Sequence, residues 1–338
     1  MVSDTSDDSG TYDPFEEFSR AQGAGEIDDP YPDFARYRTS APIVEIDPET
    51  REVVDPDARP DHATGFAAVR YDAVIEVLRD AERFSSSMYA LTMGTVMGHS
   101  ILEMDPPEHT RHRALIQQAF TKRALERWEE QLVRPTIDAL IDRFVERGRA
   151  DLVRELTFPF PVMVIAEMIG VPPELHDAFH RAAVELISLQ IAPERGMAGS
   201  QKLRTMFAEL LEQRRTTPRD DLISVLARAE LDGEKLDDES IFAFLRLLAP
   251  AGAETTYRSS SNLLVGLLST PGAWASVRDD RTLLPNAIDE GLRWECPLTG
   301  FLRTAMRDTD VCGTPVAAGT SILVNVGSAN HDEQRFED

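Results

Sequence analysis

The 338 residues carry 35 basic and 59 acidic side chains, a net charge of −24. Such a surplus excludes the basic surface a nucleic-acid binder needs to displace phosphate counterions, and it disfavours docking on anionic membrane. With 42% hydrophobic and 28% charged residues, the composition is that of a globular chain, neither fibrous nor wholly disordered.

The two cysteines, Cys296 and Cys312, are too few for a disulfide framework and point to a reducing compartment. Residues 1–18 are acidic and lack an apolar core, so they read as neither signal nor anchor. No apolar run approaches the roughly 18–20 residues that span a bilayer. A cytoplasmic protein without membrane contact is expected.

In chain order, residues 1–12 read as a disordered acidic tail and 13–338 as one domain without internal repeats. Between Asp29 and Pro60, dense prolines and acids predict short strands and turns. Ala67, Ala68 and Val69 read as a strand entering a helix over Tyr71–Arg83, with Val74, Ile75 and Leu78 on one face. Residues 84–104 are rich in Ser, Gly and Met. They suit either the lining of an adaptable pocket or an ordinary packed loop.

Helical patterns follow through Leu115, Ile116, Ala119 and Phe120, then through Leu132, Ile137, Leu140, Ile141 and Phe144. Others span Pro173–Ile191 and Ser200–Arg215. The longest covers Asp238–Ser269, and at 1.5 Å per residue it reaches roughly 45 Å, enough to cross the whole protein. Alternation over Asp310–Val316 and Thr320–Val326 predicts a hairpin turning at Ala317-Ala318-Gly319. The fold class is mainly α with a smaller β part.

Three clusters could carry chemistry. Within the longest helix, Pro250-Ala251-Gly252-Ala253-Glu254-Thr255-Thr256 weakens the helix at one point, and Thr255 can bond back to the Ala251 carbonyl. This is either an incidental kink or room for a small ligand beside a proton donor, Glu254. Asp105-Pro106-Pro107-Glu108 starts a helix that places His109 and Arg113 on one face. That pair is either a solvated basic face or a receptor for carboxylates. Glu290 and Arg293, three apart, form a helical ion pair of little energetic worth by itself. His176 and His180 read as surface residues.

Taken together, these clusters resemble the cytochrome P450 family of soluble bacterial type. The resemblance runs through MDPPEHTRHRALIQQAF (104–120), PRDDLISVL (218–226), LDDESIFAFLRLLAPAGAETT (236–256) and the stretch 287–332. It implies the P450 fold, with the long helix crossing the domain, and a haem b cofactor. The implied activity is a monooxygenase using O2 and electrons from NAD(P)H, delivered by a ferredoxin or flavodoxin and its reductase. By position, His109, Arg113 and Arg303 resemble the holders of haem propionates, and Ala251 and Gly252 the groove above the iron. Glu254 and Thr255 resemble the acid–alcohol pair that guides protons to the oxygen site, and Glu290 and Arg293 a structural ion pair. A monomer acting on a hydrophobic small molecule is implied. Residues 84–104, 186–200, 249–255 and 297–301 would line the pocket.

Pro250 departs from the family's usual aliphatic residue and should deepen the kink. Neither Cys296 nor Cys312 has the surroundings of the family's iron-ligating cysteine. The chain is therefore expected to lack the C-terminal haem-ligand region, with no metal ligand of its own, and to be inactive in this form. The basic residues Arg111, Arg113, Lys122 and Arg123 suit docking of an acidic electron donor. The alternative is a haem-free scaffold or small-molecule binder derived from the same fold. A helical terpene cyclase is excluded, since Asp220-Asp221 is not followed by the further acid of a metal-binding face.

Overall fold

The computed structural model describes residues 16, 19, 29–47, 53–54, 65–187 and 192–337. The acidic tail at 1–12 and part of the segment around 188–191 lie outside the described residues. The chain opens with α1 (Tyr31–Ser40), β1 (Ile43–Ile46) and β2 (Gly65–Ala68), followed by α2 (Tyr71–Arg79) and β3 (Phe84–Ser85). Helix α1 is a departure from the expected strands and turns; Pro30 precedes it with helical backbone angles, and Asp33 sits in its first turn. Helix α2 stops four residues early because Asp80 leaves the helical region and turns its carboxylate onto the Arg83 amide and guanidinium.

Next come α3 (Met93–Met97), α4 (Glu108–Gln117), α5 (Lys122–Trp128), α6 (Arg134–Asp142) and α7 (Pro159–Ile169). The pattern read over 173–191 resolves into a 3-10 turn, Pro173–Leu175, and α8 (His176–Ile187). Then follow α9 (Pro193–Thr216), α10 (Leu222–Leu226), a two-strand ribbon of β4 (Glu230–Leu231) and β5 (Glu234–Lys235), and α11 (Asp238–Ser269). The C-terminal third holds α12 (Ala273–Asp279), α13 (Leu284–Trp294), β6 (Gly300–Ala305), β7 (Thr309–Val311), β8 (Thr314–Val316), β9 (Ser321–Asn325) and α14 (Val326–Ala329).

The main sheet has strand order β1-β2-β9-β6-β3. Within it β2 and β9 run parallel, Phe66 opposite Ile322, although 256 residues separate those two positions in sequence. The expected hairpin does not form where the alternation placed it. Instead β7 pairs with β8, the turn falling at Cys312-Gly313, while β9 leaves to join the main sheet. Cys312 (φ 49°) and Gly313 (φ 84°) both occupy the left-handed region that a tight two-residue hairpin turn demands. Ala317–Gly319 is thus a connection between sheets. Arg38, 4% exposed, bonds the Ser328 carbonyl (3.0 Å) and pairs with Glu333 (2.6 Å), fastening α1 to the end of the chain.

Helix α11 starts where Asp237 accepts the Ser240 amide (2.7 Å), a side-chain N-cap of the kind that holds orphan helix donors. Its first half is buried on all sides: Ile241, Phe242, Ala243, Phe244, Leu245, Ala249, Pro250 and Ala253 belong to the core. Burying a side chain such as Ile241 or Leu245 contributes roughly 1.5–3 kcal/mol. The helix runs through Pro250, whose ring nitrogen has no hydrogen for the Arg246 carbonyl four residues back. The second half is different. Val265 and Leu268 on it, and Trp274, Ile288, Leu292 and Trp294 beyond it, stand exposed among the described residues. A groove of about 360 Å³ runs there between Leu152, Val153 and Thr157 on one wall and Ser261, Leu264 and Leu268 on the other.

Candidate active site

The change from buried to open falls at Ala251–Thr255. Thr255 Oγ1 donates to the Ala251 carbonyl (2.7 Å), as the sequence suggested, and Ala251 itself is exposed. Gly252 is fixed by a different contact: a Cβ there would stand 2.7 Å from Ile165 Cδ1 on α7, so its smallness serves helix packing. Glu254 is held 2.9 Å from Arg258, one turn along the helix, and its side chain is 19% exposed. Burial raises the Glu254 pKa, and the Arg258 guanidinium opposes that shift. A carboxyl whose pKa is raised, next in sequence to a threonine, is suited to proton transfer.

The sign of that shift sets a stability test. A raised folded-state pKa means that folding retains a proton which the unfolded chain has released. The stability of wild type relative to Glu254→Gln should therefore fall as pH rises from 4.5 through the raised value, then level off. Urea melts of both proteins across that range check it, and a difference that stays flat with pH would contradict the burial of Glu254.

His109 is half-buried and Arg113 exposed on α4, whose first turn follows Asp105; the Asp105 carboxylate accepts the Ser86 amide (3.0 Å). Among the described residues, neither side chain has a hydrogen-bond or ion-pair partner. Arg303, on β6 opposite Ile322, donates only to the adjacent Leu302 carbonyl (2.8 Å). No direct bond joins the three. Other arginines are claimed by acids: Arg111 by Glu234, Arg204 by Glu239, Arg214 by Asp221, Arg215 by Asp238. Arg113 and Arg303 thus have no acid partner among the described residues, as is also true of Arg123, Arg143, Arg149 and Arg181. What marks Arg113 is His109 one turn away on α4, two donors that fit the paired oxygens of a carboxylate such as a haem propionate.

The iron is another matter. Cys296 is 8% exposed, and burial pushes its thiol up to about 11. Cys312 sits in the β7–β8 turn beside Glu76, and burial together with that carboxylate raises it to about 11 as well. Neither is poised as a thiolate. The described residues include no cluster of three or more His, Cys, Asp or Glu able to hold a metal ion.

Glu290 and Arg293 form the expected pair, doubly bonded at 2.7 and 2.6 Å, and Arg293 also reaches the Asn330 carbonyl (2.8 Å). His180 differs from the surface position its sequence suggests. It packs against Phe158 (centroids 5.8 Å apart), its Nε2 is buried without a partner, and burial lowers its pKa. The proposed docking patch is also partly neutralised, since Arg111 pairs with Glu234 and Lys122 lies 3.8 Å from Glu126.

Residues 84–104 hold a 3-10 turn (Ser87–Leu91) and α3 rather than a plain loop. The segment closes through His99, whose Nδ1 meets Glu103 (2.6 Å) and whose Nε2 meets Glu108 (2.7 Å). Glu108, then Glu103, raise the His99 pKa above 6.5. That clamp contributes stability fully below the unfolded-state pKa and loses it as pH climbs through the raised value. The melting-temperature gap between wild type and His99→Gln should be widest below pH 6.5 and narrow above it. A pH-independent gap in thermal melts would count against the clamp.

A family model described as Cytochrome P450 matches residues 192–338. The cytochrome P450 monooxygenase PikC of Streptomyces venezuelae is 33% identical over 324 residues, 92% of this chain and 73% of that protein. The steroid C26-monooxygenase of Mycobacterium tuberculosis (strain CDC 1551 / Oshkosh) is 35% identical over 286 residues, 80% of this chain and 74% of its own. Among solved structures, the chain resembles the versatile cytochrome P450 enzyme CYP109B1 from Bacillus subtilis, with a TM-score of 0.79 and 33% identity. The match covers 91% of this chain and 80% of that one. CYP109E1 from Bacillus megaterium in complex with testosterone matches with a TM-score of 0.80 at 32% identity, over 92% of this chain and 79% of that one.

Proposed function

The chain belongs to the cytochrome P450 family, two of whose members above are named as monooxygenases, and from that premise we propose that it forms the oxygen and propionate sides of a haem monooxygenase for an apolar small molecule. The observation that carries this reading is that His109 and Arg113, four apart on α4, have no side-chain partner among the described residues, while Glu254 stands half-buried next to Thr255 in α11. Haem b is the proposed cofactor, and when bound it supplies the redox chemistry by which one atom of O2 enters the substrate and the other leaves as water.

His109, Arg113 and Arg303 would hold its propionates by charge-assisted hydrogen bonds. Burial makes the Glu254 carboxyl hold its proton more firmly than a free one, Arg258 fixes its direction, and Thr255, whose hydroxyl is bonded to Ala251, is next to it in the chain. Ala251 leaves the helix surface open there. Electrons from NAD(P)H through a ferredoxin or flavodoxin, a cytoplasmic setting and a monomeric state complete the proposal. The names of the steroid C26-monooxygenase and of the testosterone-bound relative favour a compact apolar ring system as substrate. Both cysteines sit where a thiolate is disfavoured, and on that ground this 338-residue chain by itself is proposed to be inactive.

Titration of the purified chain with haem, followed by quenching of its tryptophans, tests the propionate assignment. His109→Gln and Arg113→Gln should each weaken binding by about tenfold, the value of one hydrogen bond to a charged group. Unchanged affinity in both variants would favour the haem-free binder, the alternative reading of this fold.

A further inference from the structure

We propose that His180 is a pH-sensitive fastener: neutral, it holds α8 against α7 and α11, and protonated, it releases that edge of the helix. His180, Val184 and Ile187, spaced by four and three residues, fall on one face of α8. Val184 and Ile187 join Phe158, just before α7, and Tyr257 on α11 in an apolar cluster apart from the main core. The His180 ring packs on Phe158 with centroids 5.8 Å apart, and Phe158 stands edge-on to Tyr257 at 5.3 Å.

The other side of α8 is attached differently. Phe179, Ala182, Ala183 and Leu186 sit in the main core, Phe179 against Phe207 of α9 (6.3 Å). A Cβ on Gly199 of α9 would lie 2.7 Å from the Ala182 carbonyl oxygen, and Lys202 pairs with Glu185 (2.7 Å). Helix α8 is thus bound closely to α9 and more lightly to α7 and α11, where the patch includes one imidazole.

That ring is placed for its neutral state. Nε2 is buried and has no hydrogen-bond partner among the described residues. A neutral imidazole can leave this nitrogen bare, whereas an imidazolium carries hydrogen on both nitrogens and would bury a donor with nothing to receive it. Burial lowers the His180 pKa, and the exposed Asp177, three residues earlier on α8, opposes that shift. The other charged groups nearby are paired: Glu254 with Arg258 on α11, Glu155 with Arg147 before α7, and Glu185 with Lys202 of α9. Arg258, Asp151 and Glu254 act on Tyr257 rather than on His180. A protonated ring therefore gains by turning out toward Asp177 and water, which strips the cover from Phe158. The attached state is fully favoured above 6.5 and is lost progressively as pH falls below it. Release uncovers Tyr257, three residues from Glu254 on α11, and needs no bound haem.

Hydrogen exchange of the 338-residue chain, read by mass spectrometry about one pH unit above and about one below 6.5, tests this. A released ring titrating at 6.5 makes the open state about tenfold more populated across that interval. Protection factors over residues 180–187 should fall about tenfold while those over 203–211 on α9 hold, and His180→Phe should abolish the fall. Asp177→Asn, a change at an exposed position, should move the fall to lower pH. Equal protection of α8 at both pH values in wild type would overturn the proposal, whether or not the phenylalanine variant folds. A fall that persists in His180→Phe, or a midpoint unmoved in Asp177→Asn, would do the same.

Discussion

Asp221→Ala is expected to lower the stability of the fold by about 3–5 kcal/mol, the cost of stranding a buried charge. Asp221 and Arg214 have side chains 6% and 3% exposed, and they bond to each other at 2.5 Å. The second Asp221 oxygen accepts the Ser224 amide (2.9 Å) and caps α10, while Arg214 Nη2 donates to the Gly170 carbonyl (2.9 Å). One carboxylate therefore joins the ends of α7, α9 and α10. Gly170, at φ 96°, completes the fit, because a Cβ there would lie 2.3 Å from Asp221 Oδ2. Urea unfolding should show a lower midpoint with the slope unchanged. A loss no greater than about 1 kcal/mol, the worth of the helix cap alone, would mean that the buried pair carries no weight. Replacing both partners, as Arg214→Met with Asp221→Leu, should recover most of the loss, since no charge is then left alone.

The second large effect is all-or-none. A reduced, carbon-monoxide-treated difference spectrum of the 338-residue chain loaded with haem should lack the red-shifted Soret band of thiolate ligation. A Cys296→Ser, Cys312→Ser double variant should give the same spectrum as wild type. Cys296 is held in its thiol form by burial, and the neighbouring Glu295 charge adds to that effect. Cys312 sits with a positive φ in a turn beside Glu76, where a second negative charge would be repelled. A thiolate serves as ligand only when something favours its charge, and both surroundings oppose it. The red-shifted band in wild type, lost on Cys296→Ser, would show that the cysteine environment rearranges around iron.

Much of the fold was legible because its signals are local. Helix α11 begins and ends where the apolar pattern placed it: Asp237 caps one end, and the run of alanine and leucine positions is long enough to outweigh Pro250. The Thr255–Ala251 bond and the Glu290–Arg293 pair follow from spacings of four and three on a helix. What escaped notice depends on distant partners. The alternation after Asp310 was real, yet β9 found β2 and β6 rather than β8, a choice made by the sheet and invisible in the strand itself. His180 reads as a surface position on a helix, and nothing in the sequence sets Arg246 apart. Only the packing of Phe158 on one, and of Val96 and Ser200 on the other, shows that both are inside.

The fastening of the two ends of the chain has a consequence in time. The first amide of α2, at Tyr71, is satisfied by Asp332, 261 residues later, and one edge of β2 is completed only by β9. A ribosome adding roughly 5–20 residues per second needs about 13–50 s to travel that distance. For that interval β2 can pair with β1 alone, its other edge a row of open donors and acceptors available to any strand nearby. During synthesis, the β1–β2 pair is thus made long before the strand that closes its open edge.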